Sequence, residues 1–248
     1  MGSIPFSVMT YNVHSCIGTD GRADVERIAE VIAPFACDVV ALQELDMETA
    51  RSGGRDQARE IADMVLMHYH FQPLLWLERG RYGNAILSRH PLTVLRAAEL
   101  PTLAGRPRME RRGAIWARIA IGAVDVQVVS THLGLNGRER RMQAEALLGP
   151  EWAGSPEFRE PLVLCGDFNA SPASAVCRMI RGRFRDAARE AGPAGSATWP
   201  SRFPLLRLDY VFLAGDIRVR QIFVHRTPLT RAASDHLPVV ADLELATP

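Results

Sequence analysis

The sequence predicts one α/β domain with a mixed β-sheet, and three features of its 248 residues support this fold class. Hydrophobic side chains make up 47% of the chain and charged side chains 23%, which is enough apolar material for one sizeable core. Apolar runs rich in β-branched residues alternate with segments of helical period. Two of these runs are joined by only Gly122-Ala123, which is typical of a β-hairpin, so the sheet cannot be wholly parallel.

Nine short apolar runs are predicted to be strands, because β-branched residues fill them and turn-forming residues bound them. They are 7–12, 38–43, 84–88, 114–121, 124–131, 162–166, 209–213, 217–224 and 239–245. Four segments have the 3.6-residue period of amphipathic helices. They are 25–35, 56–68, 138–148 and 173–181. Neither a repeat nor a linker interrupts the series, so we expect residues 1–248 to form one domain.

The composition also limits where the protein acts. No run of 18 or more uncharged apolar residues occurs, so we expect no stable insertion into a membrane. The first five residues lack the basic and apolar regions of a secretory signal, and the four cysteines form no C-x-x-C pair. We therefore expect a cytoplasmic protein with reduced core thiols, and a monomer.

Positive charge is concentrated in the middle of the chain. Residues 106–231 carry 20 arginines against 12 acidic residues, although the net charge of the whole chain is only +1. All 29 cations are arginine, which GC-rich coding explains more simply than phosphate recognition does. Solvated faces explain most of the clusters, which are Arg106, Arg108, Arg111 and Arg112; Arg138, Arg140 and Arg141; and Arg178, Arg181, Arg183, Arg185 and Arg189.

Polar side chains collect where the predicted strands begin or end, at positions from which they can leave the core and face a cleft. One carboxylate at a strand end is usually a helix cap or a turn residue. Together, however, these groups offer oxygen ligands for a hard divalent cation and the acid–base groups that activate water. The set is Asn12, Glu44, His132, Asp167, Asn169, Asp209, Asp235 and His236.

In their order along the chain, these residues and their neighbours resemble the motifs of the endonuclease/exonuclease/phosphatase superfamily, which has the deoxyribonuclease-I-like fold. The matching segments are Asn12, Gln43-Glu44, Tyr82-Gly83-Asn84, Ser130-Thr131-His132-Leu133, Gly166-Asp167-Phe168-Asn169, Leu208-Asp209-Tyr210 and Ser234-Asp235-His236. The resemblance implies a four-layer α-β-β-α sandwich with two packed mixed sheets. It also implies an active site at one end of the sheets that hydrolyses phosphate esters with Mg²⁺ or Mn²⁺.

The resemblance further implies which residues hold the cation. Glu44 would be its principal ligand, Asn12 would lie beside Glu44, and Asp235 would lie close to the ion. Whether the site holds one cation or two stays open.

The same resemblance implies the acid–base roles. Asp209 would orient His236 in an Asp–His pair, and Asp167 and Asn169 would hold the attacking water and a phosphate oxygen. His132 matches a second histidine of the phosphodiesterase and phosphatase branches. Either His236 or Asp167 could accept the proton of the water, and we favour His236.

Two loops are predicted to form the rim of the site. Residues 198–207 directly precede Asp209, so their turns must lie near the cleft. Within them Trp199 could stack on a base or sugar, although core packing explains it equally well, and Arg202 could bind a second phosphate. Residues 51–55 form the second loop, and Asn84 is the third candidate for substrate binding.

Departures from well-known branches narrow the substrate. His132 stands where apurinic endonucleases carry a Tyr-x-Pro-Asn-like segment, and the Cys-Asp-Arg segment of inositol polyphosphate phosphatases is absent around Asp209. Neither the signal sequence nor the membrane-facing apolar hairpin of secreted sphingomyelinase-type enzymes is evident. We therefore expect an enzyme acting on phosphate esters, most simply a phosphodiesterase. A DNA endonuclease or exonuclease is the alternative, favoured by the basic central segment, and a non-enzymatic phosphate-binding protein is a third hypothesis.

Overall fold

The computed structural model describes residues 2–77, 79–105, 110–192 and 196–246, and within them twelve strands form two six-stranded mixed sheets. The predicted positions Arg106 and Arg108 lie outside the described residues. The first sheet has the order β11-β12-β1-β2-β4-β3, with β1 Ser3–Asn12, β2 Val39–Met47, β3 His68–Trp76, β4 Arg81–Ser88, β11 Ile217–Val224 and β12 Val239–Ala246. The second has the order β5-β6-β7-β8-β10-β9, with β5 Leu92–Glu99, β6 Gly113–Ile121, β7 Val124–His132, β8 Leu162–Asp167, β9 Arg185–Asp186 and β10 Asp209–Ala214.

Helices lie in the connections between these strands. In the described ranges they are α1 Val25–Ile32, α2 Gln57–Met64, α3 Gly137–Leu148, α4 Ala175–Arg181, α5 Ala187–Glu190 and α6 Pro228–Ala233. The side chains of Asp24, Asp56, Asn136, Ser174 and Thr227 each accept a backbone N–H at the start of one helix, which satisfies donors that the helix leaves unpaired. No helix within the described residues is long and apolar enough to cross a membrane.

Three buried clusters show that the sheets pack face to face with helices outside them. One cluster joins side chains of both sheets, among them Val8 and Ile115, and forms the centre of the sandwich. A second places α1 and α2 on the outer face of the first sheet, and a third places α3 and α4 on the outer face of the second. The predicted four-layer α-β-β-α sandwich is therefore confirmed.

All nine predicted strands are present, but three further strands were missed. Both β3 and β5 are edge strands with several half-exposed residues, so they lack the continuous apolar run that identifies a buried strand, and β9 has only two residues. Two predicted helices are also shorter than expected. A 3₁₀ turn, Ala33–Phe35, follows α1, and α2 ends at Met64, before β3 begins at His68.

Strand direction brings the polar side chains to one edge of the sandwich. The pairs β1–β2 and β7–β8 are parallel, so the four strands end at this edge, which we call the active-site edge. The antiparallel strands β4, β10 and β12 begin there. Register then places His132 opposite Asp167, and Asp167 opposite Asp209.

Gly166 lets the strand that carries Asp167 approach its neighbour closely. Its φ of +139° lies in a region that other residues rarely adopt, and an added Cβ would overlap the carbonyl oxygen of Thr131 on β7. Only glycine therefore fits here without moving the backbone just before Asp167.

We predict that Gly166→Ala lowers the free energy of unfolding by about 3 kcal/mol or more, because backbone strain and steric overlap add. Gly53→Ala is the matched control, since Gly53 also has a positive φ, +66°, but no atom lies within 4 Å of an added Cβ. The control should cost only about 1–2 kcal/mol. Urea denaturation measures both, and equal losses would contradict this account of Gly166.

Candidate active site

A β-bulge exposes Glu44 at the active-site edge. The register of β2 with β4 shifts between Leu42 and Leu45, and Glu44 lies in this interruption with a φ of +62°. Leu42 and Leu45 are fully buried, whereas the Glu44 side chain keeps 21% of its exposure. Bulges of this kind redirect a side chain out of the pleated pattern. Asn84 of β4 lies opposite the bulge and is buried.

Asn12 links the carboxylates of the two sheets. The residue is 1% exposed at the end of β1, and its Nδ2 donates to Oε1 of Glu44 at 2.8 Å and to Oδ2 of Asp167 at 3.1 Å. Its Oδ1 accepts the backbone N–H of His14 at 3.1 Å, which fixes the orientation of the amide. Asn12 therefore holds Glu44 and Asp167 together.

Asp209 and His236 form a buried hydrogen-bonded pair. Nδ1 of His236 lies 2.9 Å from Oδ2 of Asp209, and both residues are at most 5% exposed. Nε2 of His236 lies 3.7 Å from Oδ2 of Asp167, so a carboxylate faces each ring nitrogen. The second oxygen of Asp209, Oδ1, is buried and receives no hydrogen bond from any described residue.

His132 is held by a buried arginine that sequence reasoning missed. Arg112 is 4% exposed and its Nη1 lies 2.9 Å from Nδ1 of His132 and 2.9 Å from Oε1 of Glu110. Because a guanidinium only donates hydrogen bonds, Nδ1 accepts and a neutral His132 carries its proton on Nε2. That nitrogen faces Oδ2 of Asp167 at 3.4 Å, and the amide nitrogen of Asn169 that lies 3.0 Å from it donates to the carbonyl oxygen of Leu133 at 2.9 Å.

Part of the signal for the Arg112 contact lies in the predicted hairpin. With Gly122-Ala123 as the turn, the register of β6 and β7 places Ala114 opposite Thr131, so Arg112, two residues before Ala114, reaches the same end of the hairpin as His132. Grouping Arg112 with the solvated clusters was therefore wrong, since this side chain is buried.

Burial and crowding of charge shift the pKa values of three groups. Burial, and next the charge of Asp209, raise the pKa of Asp167 to about 7. Burial alone would lower the pKa of His236, but the charges of Asp209 and Asp167 outweigh it and raise the pKa to about 10. Burial, with Arg112 nearby, holds the pKa of His132 well below its usual value. One histidine is therefore protonated at neutral pH and the other is neutral.

These residues fit a hard divalent cation. Ligand atoms of Asp167, Asp209 and His236 lie within 4.8 Å of one another, and Asn12 connects the Glu44 carboxylate to Asp167. This cluster differs from the predicted ligand set of Glu44, Asn12 and Asp235, and the protonated ring of His236 leaves carboxylate oxygens as its available ligands. Oxygen ligands are those that Mg²⁺ and Mn²⁺ prefer. The unpartnered Oδ1 of Asp209 and the raised pKa of Asp167 both indicate negative charge that the described side chains do not neutralise.

The rim residues differ in how close they come to this cluster. Asp235 is half-buried and its Oδ2 accepts Nε1–H of Trp199 at 3.2 Å, so Trp199 contacts a predicted metal ligand. Arg202 is exposed and donates to the carbonyl oxygen of Thr19 at 3.0 Å. Nδ2 of Asn84 is buried without a described hydrogen-bond partner.

The loop that carries Trp199 is an apolar hairpin, which the sequence was not expected to contain. Trp199 and Leu206 pair as an isolated bridge, and between them Phe203 and Leu205 keep 77% and 78% of their exposure. The expectation failed because an apolar residue in a sequence is most often a core residue, and only the structure shows these two outside the core.

Comparison with known proteins agrees with this architecture. The chain is 26% identical to the uncharacterized protein YbhP of Escherichia coli K12 over 255 aligned residues, covering 97% of this chain and 96% of YbhP. The crystal structure of an endonuclease/exonuclease/phosphatase from Beutenbergia cavernae matches with a TM-score of 0.79 and 25% identity, covering 98% of this chain and 72% of that one.

A third match shows the fold alone. A mannosyl-6-phosphatase of Bacteroides thetaiotaomicron superposes with a TM-score of 0.76 at 16% identity, covering 96% of this chain and 99% of that one. The model of the Endonuclease/Exonuclease/phosphatase family matches residues 9–236, which include every motif residue described above. The chain therefore belongs to the endonuclease/exonuclease/phosphatase family, whose members hydrolyse phosphoester bonds.

Proposed function

We propose that the chain is a phosphodiesterase that depends on a divalent cation. The observation that carries this proposal is the meeting of Glu44, Asp167, Asp209 and His236 at one edge, where Asn12 connects the two sheets. Carboxylates that crowd in a buried site, next to a protonated imidazole, suit hydrolysis of an anionic ester better than passive binding of an anion, which they would repel without a cation.

Glu44 and Asp235 would hold Mg²⁺ or Mn²⁺, and Asn12 would lie beside Glu44 with its Oδ1 turned to the backbone N–H of His14. When bound, the cation supplies positive charge to a phosphate oxygen and so lowers the barrier to attack by water. The Nδ2 group of Asn12 fixes the Glu44 carboxylate from the side of the second sheet. Trp199 does the same for Asp235 from the rim.

The two carboxylates that flank His236 suggest how protons move. Asp209 on Nδ1 and Asp167 near Nε2 both stabilise the imidazolium, so His236 would neutralise charge on the phosphate and donate to the leaving oxygen. Asp167 would orient the water and accept its proton, because the backbone N–H of Asn169 fixes its Oδ1 at 2.8 Å. This assignment differs from the expectation that His236 accepts the proton.

The charge of the site favours a diester over a monoester. A phosphomonoester carries nearly two negative charges at neutral pH, whereas a diester carries one. Arg112 supplies a guanidinium next to the proposed catalytic side chains, and this group already donates to His132 and Glu110. A single negative charge therefore matches this site better.

Part of the basic central segment is neutralised within the fold, which counts against the nuclease alternative. Arg207 is buried against Asp186, and Arg185 pairs with Glu190. Arg111 likewise pairs with Glu99. Duplex DNA needs several free cations along one track, because each neutralises a backbone phosphate.

The substrate class is tested with a hydrolysis panel in Mg²⁺ or Mn²⁺. We expect clear hydrolysis of bis(p-nitrophenyl) phosphate, slower hydrolysis of p-nitrophenyl phosphate, and little nicking of supercoiled plasmid at about 0.15 M salt. Efficient nicking that disappears in Glu44→Gln would replace this proposal with the nuclease.

We predict that Glu44→Gln lowers diester hydrolysis by about 10³-fold, since removing the principal ligand removes several kcal/mol of stabilisation of the transition state. The melting temperature should not fall, because the amide keeps the shape of the side chain and relieves repulsion. Glu48→Gln is the matched control, as Glu48 is exposed after the same strand and also has a positive φ. Wild-type activity in Glu44→Gln at saturating cation would exclude Glu44 as the ligand.

The Asp209–His236 pair should act as one unit. We predict that His236→Ala lowers kcat by about 10²- to 10⁴-fold, that Asp209→Asn has a parallel effect, and that the double variant is little worse than the more damaged single variant. His90→Ala is the control, because His90 forms a similar 2.9 Å contact with Asp38 away from the active-site edge and should keep full activity. Multiplicative losses in the double variant would show that the two residues act independently.

The role of Arg112 can be read from the ring of His132. We predict that Arg112→Met lowers kcat by about 10- to 100-fold, because the ring of His132 is then no longer held in one orientation. Loss of a hydrogen bond that supports a functional side chain typically has an effect of this size. The ¹⁵N spectrum of His132 should show an unprotonated Nδ1 in the wild type and lose this fixed tautomer in the variant. Arg111→Met, at the exposed neighbour, should change neither quantity. Lost activity with an unchanged ¹⁵N spectrum would refute the positioning role.

A further inference from the structure

Exposed apolar side chains are concentrated at the active-site edge. Of the nine large hydrophobic residues that are exposed within the described residues, six lie at this edge. They are Trp76, Leu77, Leu135, Phe203, Leu205 and Leu206. Scattered single apolar residues on a surface need no explanation, but a cluster around a catalytic cleft indicates a surface for binding.

The positions of these residues are explained by the strands and loops that reach the active-site edge. Strand β3 is antiparallel to β4 and so ends there, with Trp76 68% exposed even though the guanidinium of Arg81 lies 4.5 Å from its ring centroid. Leu135 lies three residues after His132, where β7 ends, and is 74% exposed.

The hairpin of residues 199–206 is fixed to the catalytic segment. The backbone N–H of Leu206 donates to the carbonyl oxygen of Trp199 at 2.8 Å, and that of Ser201 donates to the carbonyl oxygen of Asp235 at 2.7 Å. On the other side of His236, the backbone N–H of Leu237 donates to the carbonyl oxygen of Thr198 at 2.9 Å. Phe203 and Leu205 are therefore held beside the cleft on an anchored support.

The apolar residues surround the cleft and do not form one pocket. The hairpin is attached next to β12, and Trp76 ends β3, four strands further along the order β12-β1-β2-β4-β3. At about 4.8 Å per strand this separation is roughly 19 Å, and Leu135 belongs to the other sheet. A small ligand cannot contact all of these positions, whereas an extended surface can.

The charges at the same edge favour an anionic surface. Arg22, Arg79, Arg138 and Arg202 are exposed and form no ion pair with any described residue. Glu48 is the exposed acidic residue without an ion pair in the described loops of this edge, whereas Asp20 pairs with Arg27. Four of the six apolar residues are leucines, which insert among acyl chains but offer no ring to stack on a base, so the combination fits lipid better than nucleic acid.

We propose that the active-site edge docks on the surface of a bilayer that contains anionic phospholipids. Phe203, Leu205, Leu135 and Trp76 enter the headgroup region, and the arginines contact lipid phosphates. Docking places the cleft over phosphodiester headgroups. Given the proposed function, on which this part rests, water would attack phosphorus and one P–O ester bond would break, giving a phosphomonoester and an alcohol.

Vesicle sedimentation with the full chain tests the docking without any need for activity. We expect binding to vesicles of phosphatidylcholine with phosphatidylglycerol, and weaker binding to phosphatidylcholine alone and at high salt. The variant Phe203→Ser/Leu205→Ser should bind at least ten-fold more weakly. The variant Arg22→Gln/Arg79→Gln should bind these vesicles about five-fold more weakly for each arginine removed.

The control variant is Met64→Ser/Leu66→Ser, which removes two exposed apolar side chains far from the active-site edge. It should bind vesicles as the wild type does, and an equal loss there would overturn the proposal. Absence of vesicle binding would also overturn it, as would preferential binding of single-stranded DNA that depends on Phe203.

Hydrolysis of soluble bis(p-nitrophenyl) phosphate, measured on the same samples, separates the two proposals. Vesicle binding without hydrolysis of any phosphoester supports the docking and refutes the proposed function. Hydrolysis of the soluble diester without vesicle binding supports the proposed function and refutes the docking.

Discussion

The concentration of carboxylates at one buried edge is the constraint on which the rest of the site depends. Asp167 and Asp209 lie opposite each other on adjacent strands, and Glu44 is connected to Asp167 through a single amide, that of Asn12. Like charges in a low-dielectric setting repel strongly unless a proton or a cation is shared among them. Protonation of His236 is one response to this constraint, and the proposed binding of a divalent cation would be another.

The scaffold maintains this unfavourable arrangement by local features that a regular sheet would not need. A bulge with a positive φ exposes Glu44, and a glycine lets β8 approach β7 just before Asp167. The buried guanidinium of Arg112 donates hydrogen bonds to His132 and Glu110. Such strain at a functional site persists because the surrounding core determines the backbone.

Most of the polar side chains that the structure brings together at the active-site edge could be predicted from sequence, because they stand where buried strands begin or end. Asn12, Asp167 and Asp209 follow from this rule, whereas Glu44 lies inside β2 and is exposed by the bulge. The roles of all four are implied only by the ordered motifs. Neither the number of bound cations nor the substrate could be predicted from the sequence, because both depend on the geometry between strands that are distant along the chain.

What sequence reasoning missed has identifiable physical causes. The edge strands β3 and β5 are half-exposed and lack the apolar run of a central strand. Arg112 is one of several neighbouring arginines in the sequence, and only its side-chain contact in the folded protein places it on His132. The exposure of Phe203 and Leu205 was not readable either, since their hairpin is held outward by hydrogen bonds to the segment around His236.

A cation titration of wild-type protein freed of metal by a chelator tests whether the carboxylate site needs a divalent cation for turnover. Release of p-nitrophenol from bis(p-nitrophenyl) phosphate and the melting temperature are followed together as Mn²⁺ or Mg²⁺ is added. We expect no turnover without the cation. Turnover should return saturably over the same cation concentrations that raise the melting temperature, since a ligand that binds only the folded state stabilises it. Full turnover in excess chelator, or stabilisation by the cation with no turnover of any phosphoester, would contradict it.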